Sequence, residues 1–167
     1  MTFVARRRAQ RVPRSRPSLR RAAFLITLVL ALAGCVRNQV GSARDGGIYA
    51  SKAAMSAESA LSTVSTVQMV AEAASDGKVF GTFASVAIDQ QEDAITEIAQ
   101  LFRSIQPPDD ESVALRDELG AMLDTARDHI ATVRIAVRRG DLTGAAAAAG
   151  PLADDADRLE AFGEAHR

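Results

Sequence analysis

Apolar residues recur every three or four positions through most of the chain from residue 48 onward, which is the spacing of one face of an α-helix. Four segments show this pattern, at about 49–75, 79–105, 110–139 and 141–164. No stretch alternates apolar and polar residues in the manner of a half-buried strand. The pattern therefore predicts an all-α domain over 48–167, an up-down-up-down antiparallel four-helix bundle with short connecting turns.

Each segment is predicted to turn one apolar stripe toward the core. The first stripe consists mostly of small residues, which allow a neighbouring helix to approach closely, and the second shows the most pronounced amphipathic pattern. The predicted inward residues of the first two segments are Ala50, Ala53, Ala57, Leu61, Val64, Val67, Ala71 and Ala74, then Phe80, Phe83, Ala84, Ala87, Gln91, Ala94, Ile95, Ile98, Leu101, Phe102 and Ile105. Those of the last two are Leu115, Leu119, Met122, Leu123, Ala126, Ile130, Val133 and Val137, then Leu142, Ala145, Ala149, Leu152, Ala156, Leu159 and Phe162.

Glycine and proline mark the limits of these segments. Gly77 and Gly140 follow the first and third, where a helix commonly ends with a residue in the left-handed conformation. Pro107-Pro108 ends the second segment, and Gly150-Pro151 is expected to kink or split the fourth, because proline removes a backbone donor and clashes with the preceding turn. Asp109-Asp110-Glu111 is predicted to cap and charge the start of the third segment, and Asp141 is predicted to cap the fourth.

The first 34 residues have a different composition. Residues 1–21 contain eight arginines and no acidic residue, and residues 22–33 form a nearly continuous apolar run. That run is shorter than the roughly 20 residues that a bilayer-spanning helix needs, but it has the length of a signal-peptide core. It is followed directly by Gly34 and Cys35, so the junction reads Leu32-Ala33-Gly34-Cys35.

A basic region, an apolar core and this tetrapeptide together resemble the signal peptide and lipobox of bacterial lipoproteins. The resemblance implies that signal peptidase II recognises Leu32, Ala33 and Gly34, and that it cleaves before an acylated, palmitate-bearing Cys35. Residues 1–34 would then be a removed signal peptide, and 35–47 the lipidated cysteine and a flexible tether. Cys35 would hold the protein in membrane lipid at the extracytoplasmic face of the cell membrane. An uncleaved signal anchor and an ordinary secretory signal are the alternatives.

Charge divides the chain in the same way. The formal net charge is −1, with 20 basic and 21 acidic residues, but residues 1–21 alone carry +8. The chain from Cys35 onward contains 12 basic residues and all 21 acidic ones, which gives a net charge of −9. An acidic body argues against nucleic-acid binding.

A single cysteine excludes an intramolecular disulfide and any multi-cysteine metal site. The arginine- and alanine-rich usage resembles that of high-GC actinobacteria.

Few residues in the helical segments suggest chemistry. His129 has Ala126 three positions before it, so the Glu-x-x-His pattern of di-iron bundles is missing. The acidic group Asp89, Glu92, Asp93 and Glu97 on the second segment invites a cation or a basic partner, although a solvated face is the ordinary interpretation. Within this group, Asp89 is predicted to pair with Arg127 across a hairpin that turns at Pro107-Pro108. Asp154, Asp155, Asp157 and Glu160 lack the spacing of a calcium loop and are expected to be solvated.

The sequence therefore predicts a protein that is not an enzyme, with no catalytic, cofactor-binding or metal-binding residues. The leading interpretation is a membrane-anchored extracytoplasmic lipoprotein with a binding or scaffold domain, whose protein partner the sequence does not identify. The alternative is a sensor or carrier that holds a small apolar ligand between the first and fourth helices. A carrier should keep an internal cavity, whereas a scaffold should be close-packed and expose an apolar patch.

Overall fold

The computed structural model describes residues 43–167, which contain five α-helices and no β-strand. The helices are α1 (Gly46–Ser75), α2 (Gly81–Ser104), α3 (Asp110–Arg138), α4 (Leu142–Ala148) and α5 (Leu152–Ala165). The two short helices α4 and α5 occupy the fourth predicted segment, so four helical segments pack against one another. The predicted all-α, four-helix character is confirmed.

The first helix begins earlier than its apolar pattern indicated. The Asp45 side chain caps α1 by accepting a hydrogen bond of 2.9 Å from the backbone N–H of Ile48. Gly46 and Gly47, predicted to end the tether, therefore form the first turn of the helix, and Ala43 is already buried. The predicted start at about residue 49 was wrong because the capping aspartate, rather than the first apolar residue, sets the boundary.

The small residues of α1 lie at the centre of the core. α1 packs against each of the other four helices. Five of its predicted inward residues are fully buried: Ala53, Ala57, Val64, Val67 and Ala71. Leu61, also predicted to point inward, is only partly buried. At Gly163 of α5, a Cβ atom would stand 3.6 Å from Glu58 Cγ and 3.8 Å from the Ala54 carbonyl oxygen of α1. The small side chains thus serve close helix packing, as predicted.

The predicted helix ends are confirmed where glycine or proline marks them. Gly77 and Gly140 have φ values of +70° and +76°, in the left-handed region that a side chain disfavours. Asp109 and Asp141 cap α3 and α4, each by accepting a backbone hydrogen bond of 2.8 Å. The fourth segment is split between Ala148 and Leu152, around Gly150-Pro151.

Three ion pairs join α2 to α3. Arg103 donates to Asp124 at 2.6 Å, Arg138 donates to Asp89 at 3.0 Å, and Arg134 pairs with Glu92. The predicted Asp89–Arg127 pair is wrong, because Arg127 contacts Asp124 and Asp128 of its own helix. That prediction assumed a tight, symmetric turn at Pro107-Pro108. The backbone is extended at both ends of the link, at Ile105 and Asp109, so the link adds length and shifts the register of α3 against α2.

Candidate interaction surface

Three large apolar side chains are exposed at the start of α2. Phe80, the N-cap residue, is 84% exposed, and Phe83 and Val86 are 57% and 58% exposed. Phenylalanine is enriched in protein interfaces relative to the rest of the protein surface. We call Phe80, Phe83 and Val86 the apolar patch.

The exposure of the patch corrects the predicted inward face of α2. Phe80, Phe83 and Leu101 were predicted to point inward, but all three are exposed. The predicted inward residues Ala84, Ile95 and Phe102 are buried, together with Ile88 and Ala99, which were not predicted. The exposed and the buried residues both follow helical spacing, and only the positions of the neighbouring helices decide which of them are covered. The apolar pattern therefore failed to identify Ile88 and Ala99 in the core and Val86 on the surface.

The acidic group of α2 is divided by its contacts with α3. Asp89 and Glu92 face α3 and are paired with Arg138 and Arg134. Asp93 and Glu97 are exposed, and no ion pair joins either of them to another residue in the range 43–167. Two carboxylates of the predicted acidic group, Asp89 and Glu92, are therefore neutralised by arginines of α3. The other two, Asp93 and Glu97, have no ion-pair partner in this range.

A histidine and a buried carboxylate meet between α3 and α5. Nδ1 of His129 donates a hydrogen bond of 2.6 Å to Oδ2 of Asp155. The Asp155 side chain is only 6% exposed, so the prediction of a solvated Asp155 is wrong. Asp155 also lies in the first turn of α5, where the helix dipole favours a negative charge. The two residues are 26 positions apart on different helices, which is why no local sequence signal predicts the pair.

An open groove of about 420 Å³ lies between the N-terminal parts of α1 and α3 and reaches His166. Its lining combines apolar groups such as Ala50 and Leu115 with three carboxylates, Asp109, Glu111 and Glu118. Backbone and side-chain hydrogen bonds from Ser112 lower the pKa of Asp109, and the carboxylate caps the N-terminus of α3. The groove differs in place and in lining from the apolar cavity between the first and fourth helices that a ligand carrier predicts.

Tyr49 carries a buried polar atom at the start of α1. Its ring packs against Phe102 with 5.8 Å between ring centroids, and its hydroxyl group has no hydrogen-bond partner in the described part of the chain. Burial raises the pKa of this hydroxyl, with a nearby Arg116 acting in the opposite direction. The Tyr49 ring thus fills part of the core between α1 and α2.

The predicted lipidation site, Cys35 with Leu32, Ala33 and Gly34, lies outside the described residues. Within 43–167, no helix combines the length and apolar content needed to cross a bilayer. No three His, Cys, Asp or Glu side chains of this range are grouped closely enough to hold a metal ion. Of the residues singled out from the sequence, the structure thus brings together Asp89, Glu92 and the arginines of α3, and it leaves Asp93 and Glu97 in solvent.

Comparison with known proteins places the chain in no family. No protein-family model, no curated protein and no solved structure matches it.

Proposed function

We propose that this protein is a membrane-anchored extracytoplasmic lipoprotein whose helical domain is a non-catalytic binding or scaffold module. The observation that supports a binding role is the apolar patch on α2. Phe80, Phe83 and Val86 together expose apolar side chains on a domain whose core residues are almost completely covered. A close-packed core beside an exposed apolar patch is the combination that distinguishes a binding surface from a ligand-holding cavity.

We also propose the up-down-up-down antiparallel order for the bundle. The ion pairs between α2 and α3 support it, since residue numbers rise along one helix as they fall along the other: 89 with 138, and 103 with 124. Gly81 at the start of α2 lies against Leu142 at the start of α4. Gly46 at the start of α1 lies against Asp109 at the start of α3. Alternate helices therefore begin at the same end of the domain, as this order requires.

In this arrangement the apolar patch lies at the opposite end of the domain from the start of α1. α1 contains 30 residues, which is about 45 Å at 1.5 Å per residue. The tether would enter at Gly46, and Phe80 follows the far end of α1. An acylated Cys35 would hold the near end at the membrane, and the net charge of −9 from Cys35 onward would keep the domain away from anionic lipid. The patch would then face partners in the extracytoplasmic space.

The alternative of an apolar-ligand carrier has less support. The backbones of α1 and α5, between which such a cavity would lie, approach each other closely, since a Cβ atom at Gly163 would stand 3.8 Å from the Ala54 carbonyl oxygen. The groove beside α1 has a volume within the range of small-molecule sites, but three carboxylates line it. These features favour a binding surface over an internal ligand site.

The anchor is tested by labelling with radioactive palmitate. The wild-type protein should incorporate the label and should fractionate with membranes. A Cys35→Ser variant should do neither, because it lacks the thiol that forms the thioether. Equal labelling of the two proteins would refute the lipoprotein assignment.

The binding role is tested by site-specific photo-crosslinking in intact cells. A photoreactive residue in place of Phe83 should yield a discrete crosslinked product. The same residue in place of Thr132, which is exposed on α3, serves as the matched control and should yield none. If neither position or both positions crosslink alike, the patch is not a specific binding surface.

A further inference from the structure

The apolar patch continues as an exposed stripe along the outer face of α2. Its members are spaced by three or four residues, and all of them are exposed: Phe83, Val86, Gln90, Asp93, Glu97 and Leu101. Over 18 residues the stripe is about 27 Å long. Its two ends are apolar and its middle is polar and acidic. We call this set the outer stripe.

The two carboxylates of the stripe, Asp93 and Glu97, differ from Asp89 and Glu92 in having no ion-pair partner within 43–167. Asp89 and Glu92 are neutralised by Arg138 and Arg134 of α3. Asp93 and Glu97 lie one turn apart on the outer face, and no basic side chain in the range 43–167 forms an ion pair with either of them. Like charges at this spacing repel each other in a helix. A cation brought by a partner would remove that repulsion.

The stripe places its side chains along one face of α2, as a contact seam with a second helix requires. Residues three and four apart form the rows along which two helices pack, and the steps from Phe83 to Leu101 are three, four, three, four and four. Phe83, Val86 and Leu101 would supply apolar contacts at the ends of such a seam, and Asp93 and Glu97 would specify charge in the middle. α2 buries its opposite face against α1 and α3, so no helix within 43–167 covers the outer stripe.

We propose that the outer stripe is the docking face for a helix of a partner protein, with apolar residues at its two ends and lysine or arginine between them. This proposal rests on the proposed binding function and adds the chemistry of the partner. A second copy of the chain fits poorly, because antiparallel pairing about the middle of the stripe would bring the carboxylates of both copies together. An anionic lipid surface would be repelled by the same two residues.

The test uses two synthetic helical peptides of about three heptads. Both carry leucine at the two ends of one heptad face. In the middle of that face one peptide has two lysines and the other has two glutamates, so that they differ only in charge. Binding of each to the purified full chain is measured by fluorescence anisotropy at about 0.15 M salt, where long-range attraction is largely screened.

The wild-type chain should bind the lysine peptide at least about tenfold more tightly than the glutamate peptide. The Asp93→Lys/Glu97→Lys variant should reverse this preference, and Asp93→Asn/Glu97→Gln should abolish it without reversal. Phe83→Ser should weaken binding of the lysine peptide by about tenfold through the loss of an apolar anchor. All of these side chains are exposed, and circular dichroism of each variant verifies that the helices are retained.

The matched control is Glu160→Lys/Glu164→Lys on α5. It changes two exposed carboxylates at the same spacing and alters the net charge equally, but away from the outer stripe. It should leave the preference for the lysine peptide unchanged. If it reduces binding as much as the α2 variant does, attraction is general and the docking proposal is wrong.

The outcome also separates this proposal from the one on which it rests. If the wild-type chain shows no preference between the peptides while position 83 crosslinks a partner in cells, the basic-helix proposal is overturned and the binding function stands. If position 83 crosslinks nothing specific, the binding function itself is refuted.

Discussion

The Asp109 carboxylate caps the first turn of α3 at its N-terminus. Asp109 accepts a 2.8 Å hydrogen bond from the Ser112 backbone, and this bond lowers its pKa from 3.8. A carboxyl group whose pKa is lower in the folded state than in the unfolded state stabilises the fold at pH values above its unfolded-state pKa. This stabilisation is lost as the pH falls through the folded-state pKa. We expect the wild-type chain to be more stable than Asp109→Ala at neutral pH, with Asp109→Asn intermediate because its amide oxygen still caps the helix.

Urea unfolding from pH 7 down to pH 3 measures this contribution. The difference in midpoint between the wild type and Asp109→Asn should be constant above about pH 5 and should shrink as the pH falls below about 4. A difference that stays the same over the whole range would show that the charge of Asp109 contributes nothing.

The His129–Asp155 pair gives a second prediction at this scale. His129→Ala should destabilise the fold by about 1–3 kcal/mol, because it leaves the buried Asp155 carboxylate without its donor. Asp155→Asn should cost less, since the amide oxygen can still accept the bond from Nδ1. Thermal unfolding at neutral pH measures both. If Asp155→Asn proves the more damaging change, the pair is not a simple hydrogen bond between two helices.

At the scale of the elements, glycines at two kinds of position should respond in opposite directions. Gly140 has a φ of +76°, so Gly140→Ala should cost about 1–2 kcal/mol. Gly120 lies inside α3, where the nearest neighbouring atom to an added Cβ is Arg103 Nη2 at 3.9 Å. Gly120→Ala should therefore stabilise the fold by up to about 1 kcal/mol. Urea unfolding compares the two variants, and a stabilising Gly140→Ala would show that the turn does not require glycine.

Local chemistry explains why most of the element limits, although not the start of α1, could be predicted while the exposed surface could not. The caps at Asp109 and Asp141 and the turn at Gly140 depend on a few neighbouring residues, which the sequence displays directly. On α2, two apolar stripes share the same helical spacing, one through Ile88 and the other through Phe83. Burial of one of them is decided by α1 and α3, so periodicity alone could not identify the interaction surface.

At the scale of the molecule, the ion pairs that neutralise half of the acidic group also depend on tertiary structure. The sequence shows Asp89 and Glu92 as acids of one cluster with Asp93 and Glu97, but their partners lie more than 40 residues away on α3. A shift in the register of α3, caused by the extended link before Asp109, changed the partner of Asp89 from the predicted Arg127 to Arg138. The four-helix character could be predicted from short links and helix lengths, whereas the contacts between helix faces could not.

The proposed antiparallel order makes a prediction about distances across the molecule. In a chain carrying Cys35→Ser, spin labels at Ser51 and Thr82 should be about 35–40 Å apart, because some 24 residues of α1 separate Ser51 from the end at which α2 begins. Labels at Thr82 and Arg139 should be within about 20 Å of each other, since both lie near the contact between Gly81 and Leu142. Double electron–electron resonance measures both distances. A Ser51–Thr82 distance shorter than the Thr82–Arg139 distance would exclude the up-down order. It would also remove the separation between tether and apolar patch on which the orientation of the binding surface depends.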